Sequence, residues 1–243
     1  MKDELKIKYL EQQIRAITGA GKAQVRLPFG VAAIDASLPA GGLALGALHE
    51  VQGAGAEGEG GAVAAAFLAS ILARLAPERP VLWCLGEADL YVPGLALLGL
   101  APHRLILASA ANDPEILWAM EEGLRCRALA AVVGEVKALP ALASRRLQLA
   151  AESTGVTGFV LPRRGADTAA STAVTRWRIA ALAGSVAAGE PGVGQALWRV
   201  DLLRCRGGVP ASWIVEEPNA TGHVALSAAL ADRVLPPLQR AVG

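Results

Sequence analysis

Five short apolar runs, at residues 47–51, 81–85, 104–108, 130–134 and 156–161, alternate with four longer stretches of helical periodicity, at 62–75, 92–98, 114–125 and 139–152. Strands separated by helices of this length are not hairpin partners. The pattern predicts an α/β fold, a mostly parallel sheet with helices crossing back over both faces. Pro114 behind Asp113 marks one helix start, with Asp113 expected as the N-cap and Pro114 as the first helical residue. After Arg163 the texture changes. Residues 173–181, 195–204 and 212–216 alternate apolar with polar and follow one another without helices. They predict antiparallel strands added at the C-terminal edge of the sheet.

Between the first run and the first helix lies Gly53-Ala54-Gly55-Ala56-Glu57-Gly58-Glu59-Gly60. The spacing is the G-x-x-x-x-G of a phosphate-binding loop, but Glu59 stands where the Lys belongs and Gly60 where the Ser or Thr belongs. In such loops backbone N–H groups and a helix N-terminus cradle phosphates, Lys adds charge, and the hydroxyl holds Mg²⁺. An anion about 5 Å from a phosphate, at an effective dielectric of about 20, costs roughly 3 kcal/mol. Losing the Lys attraction costs a similar amount, so ATP and Mg²⁺ are not expected as cofactors. Gly53, Gly58, Glu59 and Gly60 read as the relic of a nucleotide site.

Hydrophobic residues at 53% and charged residues at 19% exclude disorder, and a formal net charge of +1 gives no global attraction to nucleic acid. Cys84, Cys126 and Cys205 are far apart and lack a C-x-x-C pattern, as in a cytosolic chain with reduced thiols. His49, His103 and His223 are equally scattered, and no metal site is expected. The charged start, Met1-Lys2-Asp3-Glu4, is no signal peptide, and the longest uncharged apolar run, residues 62–73, is too short to span a bilayer. A soluble, cytoplasmic protein is the expectation. Residues 2–18 predict a helix with a narrow apolar stripe of Ile7, Leu10, Ile14 and Ile17, suited to docking on its own domain or on a partner. Domain boundaries follow: an N-terminal helix to residue 18, a linker over 19–27, and a core domain over 28–243.

Gly41-Gly42-Leu43, Gly46 and His49-Glu50-Val51 ahead of the glycine-rich loop resemble the entry to the core of RecA-type recombinases. With Leu27-Pro28-Phe29-Gly30-Val31-Ala32-Ala33-Ile34-Asp35 before them and Leu202-Leu203-Arg204-Cys205-Arg206-Gly207-Gly208 near the end, the chain resembles the ImuA family along nearly its whole length. The resemblance implies a RecA-like P-loop NTPase fold. It also implies partners: an ImuB-like relative of Y-family polymerases, RecA and, indirectly, an error-prone C-family polymerase, all in damage-induced translesion synthesis. Some relatives have been called SulA-like inhibitors of cell division, which gives one alternative function.

Carried over residue by residue, the RecA pattern meets losses. Glu87 matches the Glu that polarises the attacking water, and a weak ATPase using Glu87 is the enzymatic alternative. Glu135 falls one residue past the expected strand-end Asp, and such a slip predicts a side chain on the wrong face. Pro162-Arg163-Arg164 replaces the amide that senses the γ-phosphate. Arg204 and Arg206 fall where basic residues reach a neighbouring subunit. The two DNA loops are shortened, leaving Arg163, Arg164, Arg176, Trp177 and Arg178, with the pair Arg145 and Arg146, as candidates for weak, salt-sensitive DNA contact. Trp198 and Trp213 are either interface anchors or core. A non-hydrolytic adaptor is the leading expectation, and self-association of the RecA kind is left open.

Overall fold

A computed structural model describes residues 25–55, 57–163, 171–185 and 194–227. The apolar stripe Ile7, Leu10, Ile14 and Ile17, most of the expected linker, and Arg164 lie outside these residues. The described chain runs β1 (Arg26–Leu27), α1 (Ala32–Asp35), β2 (Leu43–Ala44), β3 (Leu48–Gly53), α2 (Glu57–Arg74), β4 (Val81–Leu85), α3 (Val92–Leu97) and β5 (Leu105–Ser109). It continues through α4 (Asp113–Arg125), β6 (Ala131–Val136), α5 (Ala141–Thr154), β7 (Thr157–Pro162), β8 (Thr175–Ser185), β9 (Gln195–Cys205), β10 (Ala211–Glu216) and β11 (Ala225–Leu226). β1, at the end of the expected linker, pairs with β2 as a small separate ribbon.

The main sheet has the order β11-β10-β9-β8-β3-β7-β6-β4-β5. The five runs of the first sequence pattern are all parallel strands, as their helical crossovers require. One expectation is corrected. β8 is not antiparallel to the sheet; it lies parallel to β3, with Glu50 opposite Arg176 and Val51 opposite Trp177. Antiparallel pairing begins one strand later, where β8 turns into β9 and β9 into β10. β7 and β8 lie on opposite sides of β3 and run in the same direction, whereas a hairpin reverses direction once. Alternation within a strand cannot register that.

Each face of the sheet has its own core. On one, Phe67, Leu68, Ile71 and Leu72 of α2 are buried together with Val51, Trp83, Val133, Phe159 and Trp177. On the other, Ile116, Met120 and Leu124 of α4 and Leu147 of α5 are buried with Leu48, Val132 and Val160. Few aromatics are available, and they gather on the α2 side: Phe67 lies 5.9 Å from Trp177, which lies 6.4 Å from Trp213. Trp198 and Trp213 are both buried in this cluster, so they are core residues and not interface anchors. The α4 start is also corrected. Asn112 is the N-cap, its side chain accepting from Glu115 N at 3.0 Å, while Asp113 and Pro114 are already helical.

Candidate functional site

In open parallel sheets the carboxyl ends of the strands are where a binding site forms. β7, β6 and β4 are successive neighbours, so Arg163, Glu135 and Glu87 emerge side by side at that end. They line a cavity of about 340 Å³ with Gly86, Asn112, Asp113 and Lys137. Glu135 is 5% exposed and accepts two hydrogen bonds, from Trp83 Nε1 at 2.7 Å and from Arg163 Nη1 at 2.6 Å. Arg163 also clamps Asp89, with Nη1 donating to Oδ1 at 2.9 Å and Nη2 donating to Oδ2. Glu87 faces Lys137, whose Nζ lies 3.4 Å away, and Arg163 Nη2 at 4.0 Å.

These contacts set the protonation of the group. Burial pushes the Glu135 carboxyl up, against the pull of the Trp83 N–H and the Arg163 guanidinium. Asp89 is held below the usual carboxylate range by its hydrogen bond from Arg163, and the same bond raises Arg163 further. Three carboxylates and two cations thus meet one another at the strand ends. Asp113 is engaged too: its carboxylate accepts from the backbone N–H of Lys137 and Ala138 at 3.0 and 2.9 Å, fixing the turn after β6.

Glu135 lies on the α2 side of the sheet, which corrects the expectation drawn from its one-residue slip. Its neighbour Gly134 is the one facing α4, where an added Cβ would stand 2.1 Å from Met120 Sδ. Period-two alternation then turns Glu135 toward Trp83 and the α2 face.

At the end of β3, next to β7, the glycine-rich segment is closed by direct backbone packing. α2 begins at Glu57, five residues before the expected 62, so Gly58, Glu59 and Gly60 belong to its first turns. A Cβ on Gly53 would lie 1.8 Å from Gly60 O, and one on Gly60 would lie 3.1 Å from Ala54 O. Ala54 N donates to Ile179 O of β8 at 2.7 Å, tying the strand end sideways. Gly53 is therefore required by the approach of helix to strand, and Gly60 fits it closely, whatever the loop binds.

Over 208 residues the chain is 41% identical to a protein named Protein ImuA in Caulobacter vibrioides strain NA1000 / CB15N, a match covering 81% of this chain and 85% of that protein. The Protein ImuA of Caulobacter vibrioides strain ATCC 19089 / CIP 103742 / CB 15 matches to the same extent. The chain belongs to the ImuA family. No protein-family model matches it.

In this ImuA-family chain the remaining sequence candidates do not share one site. Trp177 is fully buried and offers no face for a base to stack on, which removes it from the DNA-contact set. Arg176 Nε donates to the buried Glu50 Oε2 at 2.7 Å, and Arg178 pairs with Asp201 at 2.9 Å. Arg204 and Arg206 lie on β9 and just beyond it, donating to the carbonyls of Ser171 and Thr172 at 2.8 and 2.9 Å. They hold the lead-in to β8. Arg146 bridges to Glu121 of α4 at 2.5 Å, and Arg145 is exposed. Asp89 and Lys137 were missed from sequence. Their signal is present, since Asp89 stands two residues beyond Glu87 and Lys137 two beyond Glu135, each near the carboxyl end of a strand. Among the described residues no group of three or more His, Cys, Asp or Glu is placed to hold a metal ion, and no helix is long and apolar enough to cross a membrane.

Proposed function

We propose that this chain is a non-hydrolytic, RecA-like adaptor of an ImuA/ImuB mutagenesis system, acting in damage-induced, error-prone synthesis across DNA lesions. The RecA-like reading is supported by the strand, glycine-rich turn and long helix at β3, and by β3 lying inside a parallel sheet with crossovers leaving on both sides. The adaptor reading rests on one observation above the rest. The strand-end charges that would act on a nucleotide are matched to one another: Arg163 to Glu135 and Asp89, Lys137 to Glu87. With Glu59 in place of the loop Lys and Gly60 in place of the Mg²⁺-binding hydroxyl, these residues do not fit a nucleotide–magnesium complex. What such a scaffold retains is its surface, and its partners on this reading are RecA and an ImuB-like relative of Y-family polymerases. The error-prone C-family polymerase is reached through the latter.

The test is equilibrium binding of the purified chain to its ImuB-like partner, with and without ATP and Mg²⁺. Equal affinity in both conditions is expected. Binding that appears only with nucleotide would mean the site is a working switch and the adaptor reading is wrong.

A further inference from the structure

β5 is the last strand of the sheet, and among the described residues nothing pairs with its outer edge. Its sequence, Leu105-Ile106-Leu107-Ala108-Ser109, contains no charge and no proline. Edges that stay single are ordinarily blunted by Lys, Pro, a bulge or extreme shortness, because their free N–H and C=O groups recruit other strands. β11, at the opposite end of the sheet, is only two residues long. Among the described residues β5 has no such protection. Ile106 and Leu107 are 49% and 47% exposed, and they point to opposite faces of the sheet. Ile106 shares its face with α4, which presents Trp118 at 64% exposure; Leu107 shares its face with α3, which presents Leu97 at 75%.

We propose that this edge is the contact between two copies of the chain, their β5 strands pairing antiparallel about Leu107 so that one sheet runs through both molecules. The strand is complementary to itself in that register. Leu107 meets the second copy's Leu107, Ile106 meets its Ala108, and Leu105 meets its Ser109, a large side chain against a small one at the two outer pairs. No like charges are brought together along the strand. A two-fold axis closes the assembly, since each copy's β5 edge is used up by the other's. A single strand pair with its flanks is a small interface, so dissociation constants on the order of 10 µM are expected.

Sedimentation equilibrium of the full chain over a range of concentrations reads this directly. The expected result is a mass rising from 24.9 kDa to twice that value. Ile106→Lys and Leu107→Lys should each raise the dissociation constant by at least about tenfold, a charge on this apolar edge being unfavourable and like charges directly opposite more so, with the circular dichroism unchanged. A chain that stays monomeric throughout overturns the proposal, as does a dimer that neither substitution weakens. Should either variant misfold, hydrogen exchange of the unsubstituted chain decides. Amides 105–109 should gain protection as concentration rises, and constant protection would contradict the pairing.

Discussion

Among the described residues, Arg163 is the cation that pairs with the buried Glu135 carboxylate. Remove the guanidinium and the carboxylate is left buried with only the Trp83 N–H. Arg163→Met is therefore expected to cost about 3 kcal/mol of stability in urea unfolding at neutral pH. Adding Glu135→Gln to that variant should recover most of the loss, and an unrecovered double variant would show that the pair is not what holds the strand ends. A second residue, His49, is fully buried between Thr175 and Ala44. Trp177 Nε1 donates to Thr175 Oγ1, the hydroxyl donates to His49 Nδ1, and His49 Nε2 donates to Ala44 O, each at 2.7 Å. That chain of donors suits the neutral ring. Burial accordingly lowers the His49 pKa from 6.5 to about 4. The unfolded chain then binds more protons than the folded one between these values, so the stability is present above pH 6.5 and is lost as pH falls toward about 4. The loss is on the order of 3 kcal/mol. Urea midpoints measured from pH 7 down to 5 should fall in the unsubstituted chain and fall less steeply in His49→Leu.

At the scale of elements, the strands and helices of the first 160 residues were legible because crossovers separate them, and each apolar run ends where a turn or cap begins. Boundaries slipped where a second role competed. Asp113 looks like a cap beside Pro114, but Asn112 takes that place because the Asp113 carboxylate is held by the backbone of residues 137 and 138. The sequence puts the start of α2 too late because three glycines in Gly55–Gly60 oppose a helix by propensity alone. Close packing on β3 outweighs that preference. Two substitutions separate the cases. Gly53→Ala puts a Cβ 1.8 Å from Gly60 O and should cost at least about 3 kcal/mol as α2 is pushed off the strand. Gly61→Ala, in the same helix with nothing within 4 Å of its Cβ, should stabilise by roughly 0.5–1 kcal/mol. Thermal melts of the two variants in opposite directions are the expected outcome.

Across the whole molecule, the parallel half of the sheet could be read from periodicity, whereas the placement of β8 could not. A strand's direction depends on the chain that precedes it, and local alternation carries no record of a crossover. The site was legible in part for a similar reason. Glu87, Glu135 and Arg163 are found by their distance from strand ends, but their pairing follows from strand order, which sets β7, β6 and β4 side by side. The substitutions in the glycine-rich loop are plain in the residues themselves; the matched charges beside it emerge only when the three strand ends meet. On the reading proposed above, the two together turn a nucleotide site into a brace between strands. Equilibrium titration of the chain with a fluorescent ATP analogue in the presence of Mg²⁺ tests it most directly. No saturable binding at analogue concentrations up to about 1 mM, where an interaction is worth only some 4 kcal/mol, is the predicted result; micromolar, Mg²⁺-dependent binding would contradict it.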